Sequence, residues 1–135
     1  MEEARRYNEG KLEWNLIDFK QLEAQVQVLM YGAHKYSVFE DAKGNIVTGA
    51  EVSPEAAKKL KLVSSGRDNW KTGLKIRACG DSFLRHFFAY MSGEDIDPES
   101  GLPHLGHMGC NLMFMSYVHN NIPELDDRPK GDKTE

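Results

Sequence analysis

RHFFAYMSGEDIDPESGLPHLGHMGCN, residues 85–111, is the stretch of sequence that decides the fold, because two helical patterns meet in it across a turn. Gly93 ends the first pattern, and Pro103 can occupy the first position of the second helix. The linker between them contains two turn signals, Asp97-Pro98 and Ser100-Gly101. We predict two antiparallel helices joined by a short acidic turn.

Helical periodicity extends from this turn in both directions. Before it, apolar residues recur every three or four positions and predict a helix over 74–92. After it, a segment that is apolar on almost all sides predicts a helix over 103–121, which should be buried at the centre of the fold or in a subunit interface. Asp18 and Gln21 have capping-box spacing and predict that another helix runs over 19–36.

The stretch over 38–65 has a different pattern, and we interpret it as an insertion. Two short β-prone runs flank a Gly-Asn turn and predict a hairpin, while Ser53-Pro54 predicts the start of a helix of about two turns. The whole pattern predicts a mostly α fold, a compact bundle of three main helices with a small β-hairpin and short helix as the insertion. The predicted helical domain covers 1–122, and the charged segment 123–135 is predicted to be a disordered tail.

Composition and charge limit the classes of function. The chain has 135 residues, enough for one domain, and no apolar run approaches the roughly 20 residues of a membrane span. Residues 1–11 lack the apolar core of a signal peptide, so we expect a cytoplasmic protein with no membrane partner. The net charge of −4 disfavours binding to long nucleic acid, but a free nucleotide needs only a few cations. The apolar third helix favours a homo-oligomer.

Three histidines in the quoted stretch form a candidate metal site. At 100° per residue, His104, His107 and Asn111 fall within about 60° of one another on one side of a helix. His86 lies roughly two turns from the end of the preceding helix and is expected to face them in an antiparallel hairpin. Imidazoles combined with a carboxylate suit a divalent ion, so we predict that Mg, Mn or Zn binds to His86, His104, His107 and Asp97.

The histidines and the acids of the turn each allow a second interpretation. Buried histidines are often structural, and HxxH spacing alone is a weak signal of a metal site. Four carboxylates in the turn repel one another, and either solvent or a bound cation relieves that repulsion. Under the functional interpretation, the candidate catalytic residues are Glu94, Asp97, Glu99 and His107.

Basic and aromatic residues elsewhere in the chain predict a nucleotide site. Arginine offers a bidentate fork to phosphate, although Arg85 points away from His86 and would reach phosphate from another side, pair with an acid or act across a subunit interface. Trp70 is a candidate for stacking on a base whose edge Asn69 contacts, although tryptophan is more often packed in a core. The candidate substrate-binding residues are Lys11, Lys35, Arg67, Asn69, Trp70, Lys71, Arg85 and Asn111.

The chain resembles the small phage and prophage dATP/dGTP diphosphohydrolase domain proteins, which are linked to phage nucleotide metabolism. The combination of GEDIDPESG with HLxHxxxN is the most specific part of the resemblance. By this resemblance, roles are implied for His86, Glu94, Asp97, Glu99, His104, His107 and Asn111. The resemblance rests on five ordered blocks: YNEGK (7–11), YGAHKY (31–36), RDNW (67–70), RHFFAYMSGEDIDPESG (85–101) and HLGHMGCN (104–111).

The reaction implied by this resemblance is cleavage of a deoxypurine triphosphate between its α and β phosphates, in the host cytoplasm if the protein is phage-encoded. A rival hypothesis is a phage protein that binds and sequesters a nucleotide signal of host defence. Such a protein needs cations and an aromatic pocket but no metal. A third hypothesis is a helical interaction protein whose polar core is structural.

Overall fold

Residues 1–130 are described by the computed structural model of this chain, which starts with an exposed arm. Two short 3₁₀ helices, Trp14–Leu16 and Phe19–Leu22, are the regular structure of the arm, and neither contains a buried residue. The helices that follow are α1 (Glu23–Lys35), α2 (Pro54–Ala57), α3 (Ile76–Met91) and α4 (His104–Asn121), and the strands are β1 (Val38–Glu40), β2 (Ile46–Thr48) and β3 (Lys61–Ser64).

Helix α4 is the central element and packs against both α1 and α3. Small side chains permit its close approach to α1, since an added Cβ on Gly106 would lie 2.5 Å from the carbonyl oxygen of Ala24. On the other side, the Asn111 amide donates to Ser82 Oγ of α3 at 3.1 Å. Helix α4 is therefore buried on the sides that face α1 and α3, and His104 and His107 lie beside α3.

The prediction of a mostly α bundle is wrong. Within the described residues, the three strands form an antiparallel sheet in the order β2-β1-β3. About 50% of the residues are helical and 9% are in strands, so the fold is mixed α/β. The β1–β2 hairpin lies where its pattern predicted it, with Phe39 opposite Val47. The error concerns Lys61–Ser64, which form a strand and pair with β1. The helix that begins at Pro54 therefore has one turn instead of the predicted two.

The sheet is fixed to the C-terminal end of α1 by close backbone packing. An added Cβ on Gly49 would overlap the His34 carbonyl oxygen, and one on Gly66 would lie 2.5 Å from the carbonyl carbon of Tyr36. Buried Ser37 completes this junction, since its Oγ donates to Ala33 O at 2.7 Å and accepts from Gly66 N at 2.9 Å. The insertion is thus a packed extension of α1, whose last residue, Lys35, lies 3.7 Å from Glu99 of the acidic turn.

The segment after α4 returns to the start of α3. Pro123–Leu125 forms a 3₁₀ helix, and Asp127 accepts a hydrogen bond of 2.9 Å from the backbone nitrogen of Arg77 in the first turn of α3. The predicted disordered tail also includes residues 131–135, which lie outside the described residues. No helix in residues 1–130 is both long and apolar enough to cross a membrane.

Candidate functional site

The turn between α3 and α4 is folded by its own backbone hydrogen bonds. Asp97 N donates to Leu102 O at 2.8 Å, and Gly101 N donates to Asp97 O at 2.8 Å. Gly93 and Gly101 have φ values of +98° and +71°, which glycine adopts without the steric cost of a side chain. These hydrogen bonds fix the backbone of the turn at Asp97.

Two histidines meet across the hairpin as the sequence predicted. His86 Nδ1 on α3 lies 2.8 Å from His104 Nδ1 on α4. With Asp97 from the turn, these residues form a group whose potential ligand atoms all lie within 4.8 Å of one another. Two imidazole nitrogens and a carboxylate oxygen at this separation are a donor set that fits a divalent metal ion.

Glu94 orients the buried imidazole of His104. The Glu94 carboxylate accepts a hydrogen bond of 2.7 Å from His104 Nε2, so the proton of the neutral ring is on Nε2 and the lone pair is on Nδ1. Metal-binding histidines commonly donate their second nitrogen to a carboxylate in this way. The contact satisfies Nε2 of an imidazole that is only 3% exposed, and its Nδ1 lone pair accepts the hydrogen bond of 2.8 Å from His86 Nδ1.

Ser100 joins Asp97 to His107. Its hydroxyl donates to Asp97 Oδ2 at 2.8 Å and accepts from His107 Nε2 at 2.7 Å. His107 Nε2 is also 3.4 Å from Asp97 Oδ2, and its ring stacks on His86 with centroids 4.3 Å apart and planes 3° apart. His107 is therefore part of the cluster, although its Nε2 is used by a hydrogen bond.

Burial and hydrogen bonding shift the pKa values of His86, His107 and Asp97. Burial lowers the pKa of His86, and the nearby His104 and Arg85 add to that effect. Burial likewise lowers the pKa of His107, assisted by the adjacent His86. Burial alone would raise the pKa of Asp97, but hydrogen bonds from Ser100 outweigh it, so this pKa is lowered. These shifts favour the protonation states in which each group can bind a cation.

A cavity of about 650 Å³ opens beside the cluster, between α1, α3 and α4. Its volume lies within the range of roughly 300–1,000 Å³ found for small-molecule sites. Lys35, Arg67 and Arg85 line it together with His86, Asp97 and His104. Basic side chains and groups that could hold a metal ion thus share one cavity, a combination suited to a phosphorylated ligand.

Arg85 lines the same cavity as His86, although it points away from the apolar stripe of α3. Its side chain is exposed, as its helical phase predicted. The opposite wall carries Lys35, whose Nζ lies 3.7 Å from Glu99 in an ion pair. Arg85 and Lys35 therefore border one cavity from two helices, α3 and α1.

An aromatic group forms another part of the cavity wall. Trp70 stacks on Phe114 with ring centroids 5.2 Å apart, and its edge contacts the Tyr117 ring at 5.1 Å. Asn69 and Trp70 both line the cavity, together with Phe114. Trp70 is therefore half-buried against α4 and also borders the cavity, while its contact with a base stays a prediction.

The remaining sequence candidates are distributed differently. Asn111 borders the cavity but donates its amide to Ser82 and to the His107 carbonyl, so it fixes the helix pair. Lys71 forms an ion pair with Asp68 at 3.4 Å, and Lys11 lies on the exposed arm. Neither lysine lines the cavity.

Ser100 is the functional candidate that sequence reasoning missed. It connects a predicted metal ligand to a predicted catalytic histidine, and both contacts are shorter than 3 Å. The sequence did contain a signal, because Asp followed three residues later by Ser in a Pro-containing turn favours a hydrogen bond from the serine to the aspartate.

Comparisons with known proteins agree with the resemblance stated above. The sequence model of a family described as dATP/dGTP diphosphohydrolase, N-terminal, matches residues 1–128. A protein of Salmonella phage PMBT28 named dATP/dGTP diphosphohydrolase is 31% identical over 123 residues, which are 91% of this chain and 32% of the relative. The chain thus spans about a third of the length of that curated relative. No solved structure matches the chain significantly.

Proposed function

The chain belongs to the dATP/dGTP diphosphohydrolase N-terminal family, and on that premise we propose that it hydrolyses a deoxypurine nucleoside triphosphate to the monophosphate and pyrophosphate with a divalent metal ion. One observation supports this most strongly. The donor atoms of His86, Asp97 and His104 converge within 4.8 Å at the edge of a cavity that Lys35, Arg67 and Arg85 also line.

His86, His104 and Asp97 would hold the metal ion in this proposal. A divalent ion in such a site offsets the negative charge of phosphate oxygens and makes water a better nucleophile. Glu94 and Ser100 keep His104 and Asp97 in position through hydrogen bonds of 2.7 and 2.8 Å. Ligands that are oriented before binding lose less conformational entropy when the ion and substrate arrive.

The triphosphate would lie between the basic residues of α1 and α3. Arg85 and Lys35 face the cavity from opposite walls and would neutralise charge on the departing pyrophosphate, with Arg67 at the same cavity. The base would lie against Trp70 and Asn69, where Phe114 supports the indole from behind. This places the apolar part of the substrate on the aromatic wall and the charged part on the basic wall.

Glu99 is our candidate for the proton acceptor. Water attacks the α phosphorus, the bond from that phosphorus to the oxygen bridging to the β phosphate breaks, and pyrophosphate leaves with both bonding electrons. Asp97 is held by Ser100, whereas within residues 1–130 Glu99 has one ion pair, to Lys35, and accepts no side-chain hydrogen bond. A carboxylate at the cavity wall with so few partners is available to take the proton of water.

Nucleotide binding without cleavage is the second candidate function. The observation that favours it is the coverage of the Salmonella phage relative, since only 32% of that named hydrolase aligns with this chain. Binding requires the basic and aromatic walls of the cavity but neither the metal nor Glu99.

One incubation distinguishes the two functions. Each deoxynucleoside triphosphate is mixed with the protein and Mg²⁺ or Mn²⁺, and the products are separated by ion-exchange chromatography. We expect deoxypurine monophosphate and pyrophosphate, no product with a chelator, and no product from Asp97→Asn. His119→Ala is the matched control because His119 lies on α4 but is exposed and outside the cavity. Recovery of intact triphosphate from a stable complex would support sequestration and reject hydrolysis.

A further inference from the structure

Gly32 lies near the end of α1, inside a regular helix that glycine destabilises. Glycine is favoured in protein structures where the backbone has a positive φ, where another element comes too close for a side chain, or where a ligand approaches the backbone. The structure separates these three reasons for Gly32.

Within residues 1–130, all glycines except Gly32 and Gly80 have one of the first two reasons. A Cβ added to Gly32 would meet no neighbouring atom within 4 Å, and its φ is not positive. Neither its backbone conformation nor its packing therefore requires glycine. A positive φ applies to Gly10, Gly44, Gly73, Gly93 and Gly101, and a close neighbouring element applies to Gly49, Gly66, Gly106 and Gly109.

Gly32 lies at the centre of the α1 face that lines the cavity beside the histidine cluster. The lining residues of α1 extend around the helix from Tyr31 on one side to Ala33 on the other, an arc of about 200° at 100° per residue. Gly32 is at the middle of that arc, so a Cβ at this position would point into the cavity. Gly80 does not line the cavity, which distinguishes the two glycines.

The neighbours of Gly32 on this face change from apolar to cationic along α1. Val28, one turn earlier, is apolar and buried, whereas Lys35, one turn later, carries the cation that pairs with Glu99. Residues three and four positions away lie on the same side of a helix as Gly32. A ligand that meets Gly32 therefore lies between an apolar contact and a cationic contact.

We propose that the sugar of the bound nucleotide packs directly against the α1 backbone at Gly32, an inference that rests on the proposed function. The sugar of a nucleoside triphosphate joins the base to the phosphates, so it belongs between an apolar and a cationic contact. The phosphates then reach Lys35, and the sugar fills the space that a side chain at position 32 would take. Glycine permits this approach because it has no Cβ.

This contact makes Gly32 a specificity residue rather than a residue of the metal site. Its substitution would displace the sugar and leave His86, Asp97 and His104 unchanged, because none of them lies on α1. The matched control is Gly80→Ala, since Gly80 also lies inside a helix with open space around it but does not line the cavity.

Calorimetric titration tests the contact with two ligands in the presence of Mg²⁺. They are the α,β-methylene analogue of deoxyadenosine triphosphate, in which the bond to be cleaved is replaced, and inorganic triphosphate, which has no sugar. We expect Gly32→Ala to weaken binding of the analogue at least about tenfold, because an added methyl group overpacks the filled site. Its affinity for inorganic triphosphate, and both affinities of Gly80→Ala, should stay within about twofold of the wild type.

Thermal melts of the free proteins separate a ligand contact from a structural role. Both alanine variants should have a higher Tm than the wild type, because alanine favours a helix more than glycine and the space around each Cβ is empty. A lower Tm for Gly32→Ala would show that the folded chain itself requires glycine at this position, and it would overturn the proposal.

The proposed function and this inference fail in different ways. A wild-type chain that does not bind the analogue rejects the nucleotide site, and the role of Gly32 with it. If the wild type binds the analogue and Gly32→Ala binds it equally well, the contact at Gly32 alone is rejected. Equal losses for the analogue and for inorganic triphosphate would assign the contact to the phosphates and overturn the placement of the sugar. A loss confined to the analogue supports the contact whether or not the wild type cleaves its substrate.

Discussion

The two faces of the α3–α4 hairpin reverse the usual distribution of polar and apolar residues. The sides of α3 and α4 that face each other bury His104 and Asn111 and half-bury His86 and His107. Other sides of the same helices expose apolar residues, which are Leu84, Phe88, Met91, Leu105 and Leu112. Burying polar groups costs free energy unless they are paired, and exposing apolar groups forgoes the gain of burial. The comparison teaches that α3 and α4 build the polar cavity from the sides that face each other, while other sides of the same helices stay apolar and exposed.

The largest expected effect comes from adjacent residues on opposite faces of α4. His104→Ala should lower deoxypurine triphosphate turnover at least about 100-fold, because a metal ligand contributes several kcal/mol to charge stabilisation. Leu105→Ala should keep turnover within about twofold, as expected of a residue away from the cavity. Steady-state pyrophosphate release measures both. Equal losses in the two variants would contradict the division between the faces.

A smaller effect is expected from the residue that orients His104. Glu94→Gln should weaken metal binding by about 10- to 100-fold, because the amide is a poorer acceptor for the His104 Nε2 proton. Asp95→Asn is the control, since in residues 1–130 the Asp95 side chain makes no hydrogen bond. Titration with Mn²⁺ followed by calorimetry measures the affinities. If Asp95→Asn weakened binding as much as Glu94→Gln, the hydrogen bond to His104 would not be the cause.

Two glycines of the hairpin, Gly106 on α4 and Gly80 on α3, test helix packing through the free energy of unfolding alone. Gly106→Ala should destabilise the protein by about 1–3 kcal/mol, because its Cβ would lie 2.5 Å from the Ala24 carbonyl oxygen. Gly80→Ala on α3 has no atom within 4 Å of its Cβ and should stabilise the protein by about 0.5–1 kcal/mol. Urea unfolding followed by circular dichroism gives both free energies. The same sign for both variants would show that α1 does not approach α4 so closely.

The smallest effect is expected for an exposed apolar residue of α4. Leu112→Gln should change the free energy of unfolding by less than about 0.5 kcal/mol, because the side chain is 57% exposed. Urea unfolding followed by circular dichroism measures this. A large loss of stability would place Leu112 in the core of the protein.

Much of the fold could be predicted because helical periodicity is a local property. The long helices lie close to the predicted ranges, and the β1–β2 hairpin was recognised from its turn. The third strand was missed because Lys61–Ser64 forms its hydrogen bonds with β1, more than 20 positions earlier in the chain. A short run of Lys, Leu and Val is compatible with helix or strand, and the partner strand decides.

The candidate site could be predicted in part for the same reason. The spacing of His104, His107 and Asn111 alone places them on one side of a single helix. The turn signals predicted an antiparallel hairpin, and such a hairpin places His86 opposite them. The contact of Ser100 with Asp97 and His107 depends on how the turn folds back over α4. Lys11 and Lys71 were included by charge alone, and charge without position does not determine which lysines border a cavity.

The sequence by itself determined the helices, the acidic turn, the family and the residues able to bind a metal, because each depends on composition and spacing along the chain. Only the tertiary structure decided that His86, Asp97 and His104 converge beside a basic cavity, that β3 joins the sheet, and that apolar residues of α3 and α4 such as Phe88 and Leu112 stay exposed. The physical reason is that burial, hydrogen-bond pairing and exposure are properties of distances between residues far apart in the chain, and those distances are set by packing rather than by local sequence.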